Sequence, residues 1–176
     1  MSKISGERTF LPLNIAVLTV SDSRTEDNDT AGKLLSERVI KAGHRLAEKV
    51  IVIDNVYRIR EVMSRWIADS EINAIVTTGG TGLTGRDSTP EAVAPLFDKS
   101  IEGFGELFRS LSYEIIKTST IQSRAIGGLA NGTPIFCLPG SPGACKDGWD
   151  GIIEPQLDAR HKPCNLVELM PRFMER

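Results

Sequence analysis

The stretch Leu13–Val20 reads LNIAVLTV, a continuous apolar and β-branched run with no polar residue at every second place. A strand with one wet face alternates; a strand covered on both faces does not. The run therefore predicts a central strand of a parallel sheet with helices on both sides. The rest of the chain fits that demand. The polar loop SDSRTEDNDT follows, and Asp29 or Thr30 can cap a helix running to about Ala42, with Gly43 just past its end. HRLAEKVIVI reads as a second strand, ended by Asp54. VYRIREVMSRWIA follows as an amphipathic helix, with Val56, Ile59, Val62, Met63, Trp66 and Ile67 on one face. INAIVTT is a third strand.

Further on, PEAVAPLF and GFGELFRSLSYEII read as helices, and GACKDGWDGIIEPQL as the last one. SRAIGGLA and TPIFCLPG read as two short strands joined by Asn131-Gly132, a strong hairpin signal. The expected fold is a single α/β domain over residues 1–176: a three-layer sandwich, its sheet mostly parallel, with one antiparallel element. A chain of 176 residues is long enough to bury a sizeable core. Ligands in such sheets bind beyond the carboxyl ends of the strands.

Composition excludes several classes. The net charge is −2, and Arg24, Arg58, Arg60, Arg65 and Arg86 are scattered among acids, which argues against a nucleic-acid partner. Three cysteines (Cys137, Cys145, Cys164) without a C-x-x-C, and two histidines (His44, His161), do not make a zinc site. The cysteines read as free buried thiols of a cytoplasmic protein. The opening MSKISGERTFLP has no apolar core of a signal peptide, and no apolar run reaches membrane-spanning length.

The third strand runs straight into TTGGTGLTGRDSTPEA, Thr77–Ala92. Gly80-x-Gly82-x-x-Gly85 has the letters of a dinucleotide-binding loop, but in that fold the loop follows the first strand and the helix opens within the pattern. Here the helix start comes later, at Ser88-Thr89-Pro90-Glu91, which has capping-box spacing. No Gly-Lys-Ser/Thr follows, so it is no Walker A loop either. The glycines still let backbone N–H groups approach a phosphate ahead of a helix N-terminus. Asp87 is the odd residue among them. A carboxylate there repels a phosphate unless Mg²⁺ sits between, and Asp54 is expected on the same rim. Either the two acids hold a magnesium ion for phosphoryl or nucleotidyl transfer, or each merely caps the helix that follows it. LPGSPGA, Leu138–Ala144, repeats the design, with Gly140, Ser141 and Gly143 at a strand end; a plain proline-cornered turn is the bland reading.

These segments, together with TVSDSR (Thr19–Arg24), DTAG (Asp29–Gly32), EGFGELFR (Glu102–Arg109) and QSRAIGG (Gln122–Gly128), resemble the MoaB/Mog family of molybdenum cofactor biosynthesis proteins, in order and over nearly the whole chain. The ending IIEPQLDARHKPCN (Ile152–Asn165) is similar to the MoaB branch. The resemblance implies a homotrimer or homohexamer that binds molybdopterin, in contact with other molybdenum cofactor biosynthesis enzymes. In the Mog branch it implies adenylylation: the pterin phosphate attacks the α-phosphorus of Mg-ATP (GTP being the other candidate nucleotide) and pyrophosphate leaves. A non-catalytic oligomer that binds the pterin or its precursor and passes it on is the second reading.

Carried over by motif, Asp87 and Asp54 match the family's catalytic, magnesium-associated aspartates. Gly79, Gly80, Thr81 and Gly82, with Gly140 and Ser141, match nucleotide-phosphate segments; Asp22, Ser23, Ser123 and Arg124 match segments lining the pterin cleft. Where the family often continues Pro-x-Arg, this chain has Leu83-Thr84-Gly85-Arg86. Glu106 and Arg109, three residues apart, are expected to form an ion pair. Trp66 and Trp149 are expected in the core, His161 at the surface or an interface, and Phe104 and Phe108 in the core or at a subunit contact.

Overall fold

The computed structural model describes residues 8–175; part of the N-terminal stretch read as lacking a leader lies outside them. The elements run β1 (Asn14–Val20), α1 (Thr30–Lys41), β2 (Arg45–Val52), α2 (Val56–Ala68), β3 (Ala74–Thr78), α3 (Thr89–Val93), β4 (Lys99–Ser100), α4 (Glu102–Ile116), β5 (Ile126–Ala130), β6 (Thr133–Leu138), α5 (Pro142–Gly148), α6 (Glu154–Gln156) and α7 (Leu166–Leu169). The sheet order is β2-β1-β3-β6-β5-β4. β1 pairs parallel with β2 and β3, and β3 parallel with β6. β5 is antiparallel to both neighbours.

The unbroken apolar runs hide a period of two. Ile15, Val17, Ala74, Val76, Phe136 and Leu138 pack on one face, against Leu35 and Val39 of α1, Phe104 and Phe108 of α4, and Trp149. Ala16, Leu18, Ile75, Ile135 and Cys137 pack on the other, against Ile59, Met63 and Trp66 of α2 and Ala92 and Val93 of α3. Both faces are dry, so no polar alternation survives. Trp66 and Trp149 are fully buried, and Phe104 and Phe108 belong to the core.

The local signals hold at several ends. The Asp29 side chain caps α1 by accepting the Gly32 N–H, and Gly43 takes φ +91° beyond the Ala42 cap. Asn131 and Gly132 both have positive φ, as the tight hairpin turn demands. The helix expected over GACKDGWDGIIEPQL is unbroken from Pro142 to Gln156 and widens to a π-helical turn over Trp149–Ile153 between α5 and α6. Other expectations fail. Glu106 and Arg109 form no ion pair; Arg109 donates instead to the Ala125 carbonyl at 3.1 Å. Cys164 is exposed, unlike Cys137 and Cys145. Burial holds the Cys145 thiol up at about 11 and the Cys137 thiol at about 12, so neither is a ready nucleophile.

Candidate functional site

From β1 the chain moves outward to β2, then returns past β1 to β3, so the loops after β1 and β3 diverge at a switch point above the carboxyl ends. Four loops meet there: Ser21–Asp29, Ile53–Asn55, Gly79–Ser88 and Pro139–Ser141. A cleft of about 450 Å³ opens beside them, with Gly79, Gly80, Thr81, Gly82, Asp87, Gly140 and Ser141 on one side and Ser112, Ile116, Ser119, Gln122 and Ser123 among its other walls. A smaller apolar pocket of about 310 Å³ between α4 and β5 contains none of the residues of these loops.

The glycine loop is defined by where its carbonyls go. Gly79 O accepts from the Thr89 hydroxyl at 2.8 Å and Gly80 O from the Thr89 N–H at 2.9 Å. Thr81 O accepts from the Arg124 N–H at 3.3 Å and Gly82 O from Arg124 Nε at 2.9 Å. In a trans peptide the next residue's N–H points opposite to the carbonyl. The N–H groups of Gly80, Thr81, Gly82 and Leu83 therefore point away from Thr89 and Arg124. Among the described residues those of Gly80, Thr81 and Leu83 have no protein acceptor, and the Gly82 amide bears on the Asp87 carboxylate. The turn needs glycine at its first two places: Gly79 has φ +95° and Gly80 φ +67°. A Cβ on Gly80 would lie 2.3 Å from the Thr89 hydroxyl and 2.7 Å from Asp54 Oδ2.

The two aspartates flank this row. Asp87 Oδ2 accepts from the Thr84 N–H at 2.9 Å and the Thr84 hydroxyl at 2.7 Å. Burial pushes its carboxyl up, but these bonds, the Gly82 amide and the Arg124 charge outweigh it and hold it below the ordinary range. Asp54 is 7% exposed. Its Oδ1 accepts from the Ser88 N–H at 3.0 Å and from the Ser88 hydroxyl. Burial raises its carboxyl, as do the charges of Asp87 and Asp22, against the Ser88 bonds. Neither acid caps the helix after it. Asn55 caps α2, and Ser88 precedes α3 without a side-chain cap bond, because its hydroxyl is turned to Asp54. The bland capping reading and the Ser88–Glu91 capping box both fail. Glu91 pairs with Arg124. Asp54 also reaches the β3 loop although β1 lies between β2 and β3.

The remaining expected residues divide. Ser123 lines the cleft, and its buried hydroxyl has no partner among the described residues. Asp22 is tied across the loop tips: it accepts the Asp54 N–H at 3.0 Å and a two-pronged bond from Arg86 at 2.7 and 2.8 Å. The Arg86 bonds first, then the Asp54 amide, lower its carboxyl to about 2. Ser23 is exposed, its N–H donating to Ser21 Oγ. Arg124 does not line the cleft; it stands behind the loop. Sequence reasoning missed Thr84, Ser88, Thr89 and Glu91 as partners of the site, because D-S-T-P-E reads first as a helix start.

The residues match a known family over the same span. The family model described as a probable molybdopterin binding domain matches residues 16–159. The chain belongs to the MoaB/Mog family. Among its relatives, molybdenum cofactor biosynthesis protein B of Escherichia coli K12 is 53% identical over 165 residues, covering 94% of this chain and 96% of that one. A crystal structure of a molybdenum cofactor biosynthesis protein B superposes with TM-score 0.81 at 40% identity, covering 84% of this chain and 92% of that one. The tungsten cofactor synthesizing protein MoaB from Pyrococcus furiosus does so with TM-score 0.72 at 37% identity, covering 81% and 91%. The MoaB/Mog fold expected from the sequence is thus the fold observed. No helix among the described residues of this family member is long and apolar enough to cross a membrane.

Proposed function

We propose that this protein works in molybdenum cofactor biosynthesis, binding molybdopterin and adenylylating its terminal phosphate with ATP. The observation that carries the reading is the row of loop amides without protein acceptors beside Asp87. Such a row is an anion site, ready for the phosphates of a nucleotide. The cleft beyond it, walled by Ser123, Ser119 and Gln122, offers hydroxyl and amide partners to a polar heterocycle such as a pterin.

The donor set fits a magnesium ion. Asp87 and Asp54 supply hard carboxylate oxygens, and Asp54 lies in an excess of negative charge, since Arg86 is bound to Asp22. Among the described residues no three acidic, His or Cys side chains are arranged to hold an ion by themselves. That suits magnesium, which is held by one or two carboxylates and completed by substrate phosphates and water. When bound there, the ion offsets triphosphate charge.

The chain's own residues position and neutralise. The amides of Gly80, Thr81 and Leu83 orient the β- and γ-phosphates; Gly140, packed against Gly79, and Ser141 extend the same side of the cleft. An oxygen of the pterin phosphate forms a bond to the α-phosphorus, the α–β bridging bond breaks, and pyrophosphate leaves with that electron pair. The attacking oxygen is already ionised, so no base is needed, and no histidine lines the cleft. Catalysis then rests on positioning and charge stabilisation. A trimer or hexamer would carry one such site per chain.

The test is pyrophosphate release from purified protein with molybdopterin and Mg-ATP, beside Asp87→Asn. Release that requires the pterin and is lost in the variant supports adenylyl transfer. Pterin binding without release would replace it with the carrier reading.

A further inference from the structure

Arg124 lies outside the cleft, yet it touches more of the glycine loop than any residue that lines it. Its backbone N–H holds Thr81 O, Nε holds Gly82 O, Nη2 holds Asp87 O at 3.1 Å, and Nη1 pairs with the Glu91 carboxylate. Each of its three guanidinium nitrogens thus already has an acceptor. The bonds span both ends of the loop, and Glu91 on α3 fixes the far side of the guanidinium. A planar fork can hold three separated acceptors at once; an ammonium on a flexible stem cannot.

We propose that Arg124, locked by Glu91, is a positioning residue: a clasp that holds the carbonyls of Thr81, Gly82 and Asp87 behind the loop so that its amides stay arrayed for phosphate. It acts through the backbone and touches no ligand. The inference rests on the phosphate-binding reading above for its consequence, though not for its geometry. Without the guanidinium the carbonyls of Gly82 and Asp87 lose their holder; Thr81 keeps the residue 124 backbone bond, the loop start keeps its Thr89 and Leu138 bonds, and the tip and end keep the Thr84–Asp87, Arg86–Asp22 and Ser88–Asp54 bonds. The amide array would then have to be ordered anew at each binding event, and affinity would fall.

The experiment compares wild type with Arg124→Lys, Arg124→Ala and Glu91→Gln. The probe is inorganic pyrophosphate with magnesium chloride, titrated calorimetrically. In parallel, ligand-free amide hydrogen exchange is followed by mass spectrometry for the 79–88 segment, with β1 as the internal standard. Loss of charge-assisted bonds of this kind predicts about tenfold weaker pyrophosphate binding and about tenfold faster loop exchange in Arg124→Lys, equal to Arg124→Ala. Glu91→Gln moves both in the same direction by less and adds nothing to Arg124→Lys.

Wild-type affinity and exchange in Arg124→Lys would overturn the clasp, since Lys keeps the charge and loses the fork. So would a Glu91→Gln effect that adds in full. Should wild type fail to bind pyrophosphate, the phosphate reading falls, while the loop exchange still decides for or against the clasp. If Arg124→Ala does not fold, Arg124→Lys and Glu91→Gln carry the same comparison.

Discussion

Ser88 gives both its N–H and its hydroxyl to one oxygen of Asp54. This ties the loop after β3 to the end of β2 across the intervening strand. The other oxygen, Oδ2, shares the Ser88 N–H at 3.3 Å and lies against Gly80. Removing the hydroxyl in Ser88→Ala leaves a buried carboxylate short of a donor. Stability should fall by about 1.5 kcal/mol, and Ser88→Thr should restore it. Ser88 lowers the Asp54 carboxyl, so Ser88→Ala raises it further. Asp54 must be ionised to hold a cation, so the acid limb of pyrophosphate release should move to higher pH. A pH–rate profile of the two variants checks this.

On the proposed reading Asp54 is a charge held at a cost to the fold. Its carboxyl is raised by burial and by Asp87 and Asp22. The sign is that of an acid whose folded form favours the proton: its contribution is present below the unfolded value near 3.8 and is lost as pH rises through the folded one. At neutral pH the ionised group therefore destabilises. Asp54→Asn should raise the Tm by roughly 2 °C while abolishing pyrophosphate release. A scanning calorimetry trace with no rise, or a fall, would count against this account of the site.

The letters Gly80-x-Gly82-x-x-Gly85 do not carry equal weight. At Gly80 a side chain meets Thr89 and Asp54 and the backbone has positive φ; at Gly85 a Cβ meets nothing within 4 Å. Gly80→Ala should cost about 2 kcal/mol or more and remove pyrophosphate binding. Gly85→Ala should be neutral in both denaturant melts and calorimetric titration.

His44 makes the fold sensitive to mild acid. Its Nδ1 accepts the Leu13 N–H at 3.1 Å, which places the neutral ring's proton on Nε2, buried without a partner among the described residues. Burial lowers its pKa from 6.5, against the opposing charge of Asp158. A base depressed in the folded state keeps its contribution above the unfolded value and loses it as pH falls below 6.5 toward the folded one. Wild type should lose Tm between pH 7 and 5.5 more steeply than His44→Gln does.

By itself the sequence determined the layers and the loops. The dry run of β1 demanded helices on both faces, Asn131-Gly132 demanded a tight turn, and Asp29 capped the helix its spacing announced. The glycine loop announced itself as a backbone surface ahead of a helix, and Asp87 as the odd charge within it. These are local facts, set by φ preferences, side-chain period and orphaned N–H groups near the residues that satisfy them. Only the tertiary structure decided who serves whom. Ser88 was legible as a helix cap, yet its hydroxyl is turned to a carboxylate 34 positions away in the chain. Arg124 was legible as a cation near a ligand, yet its acceptors are the carbonyls behind the loop. Glu106 and Arg109 had the spacing of a pair, yet the Ala125 carbonyl of the adjoining segment is the better-placed acceptor. A side chain's partner is fixed by what the sheet order brings alongside it, and sheet order is a long-range property that no local window contains.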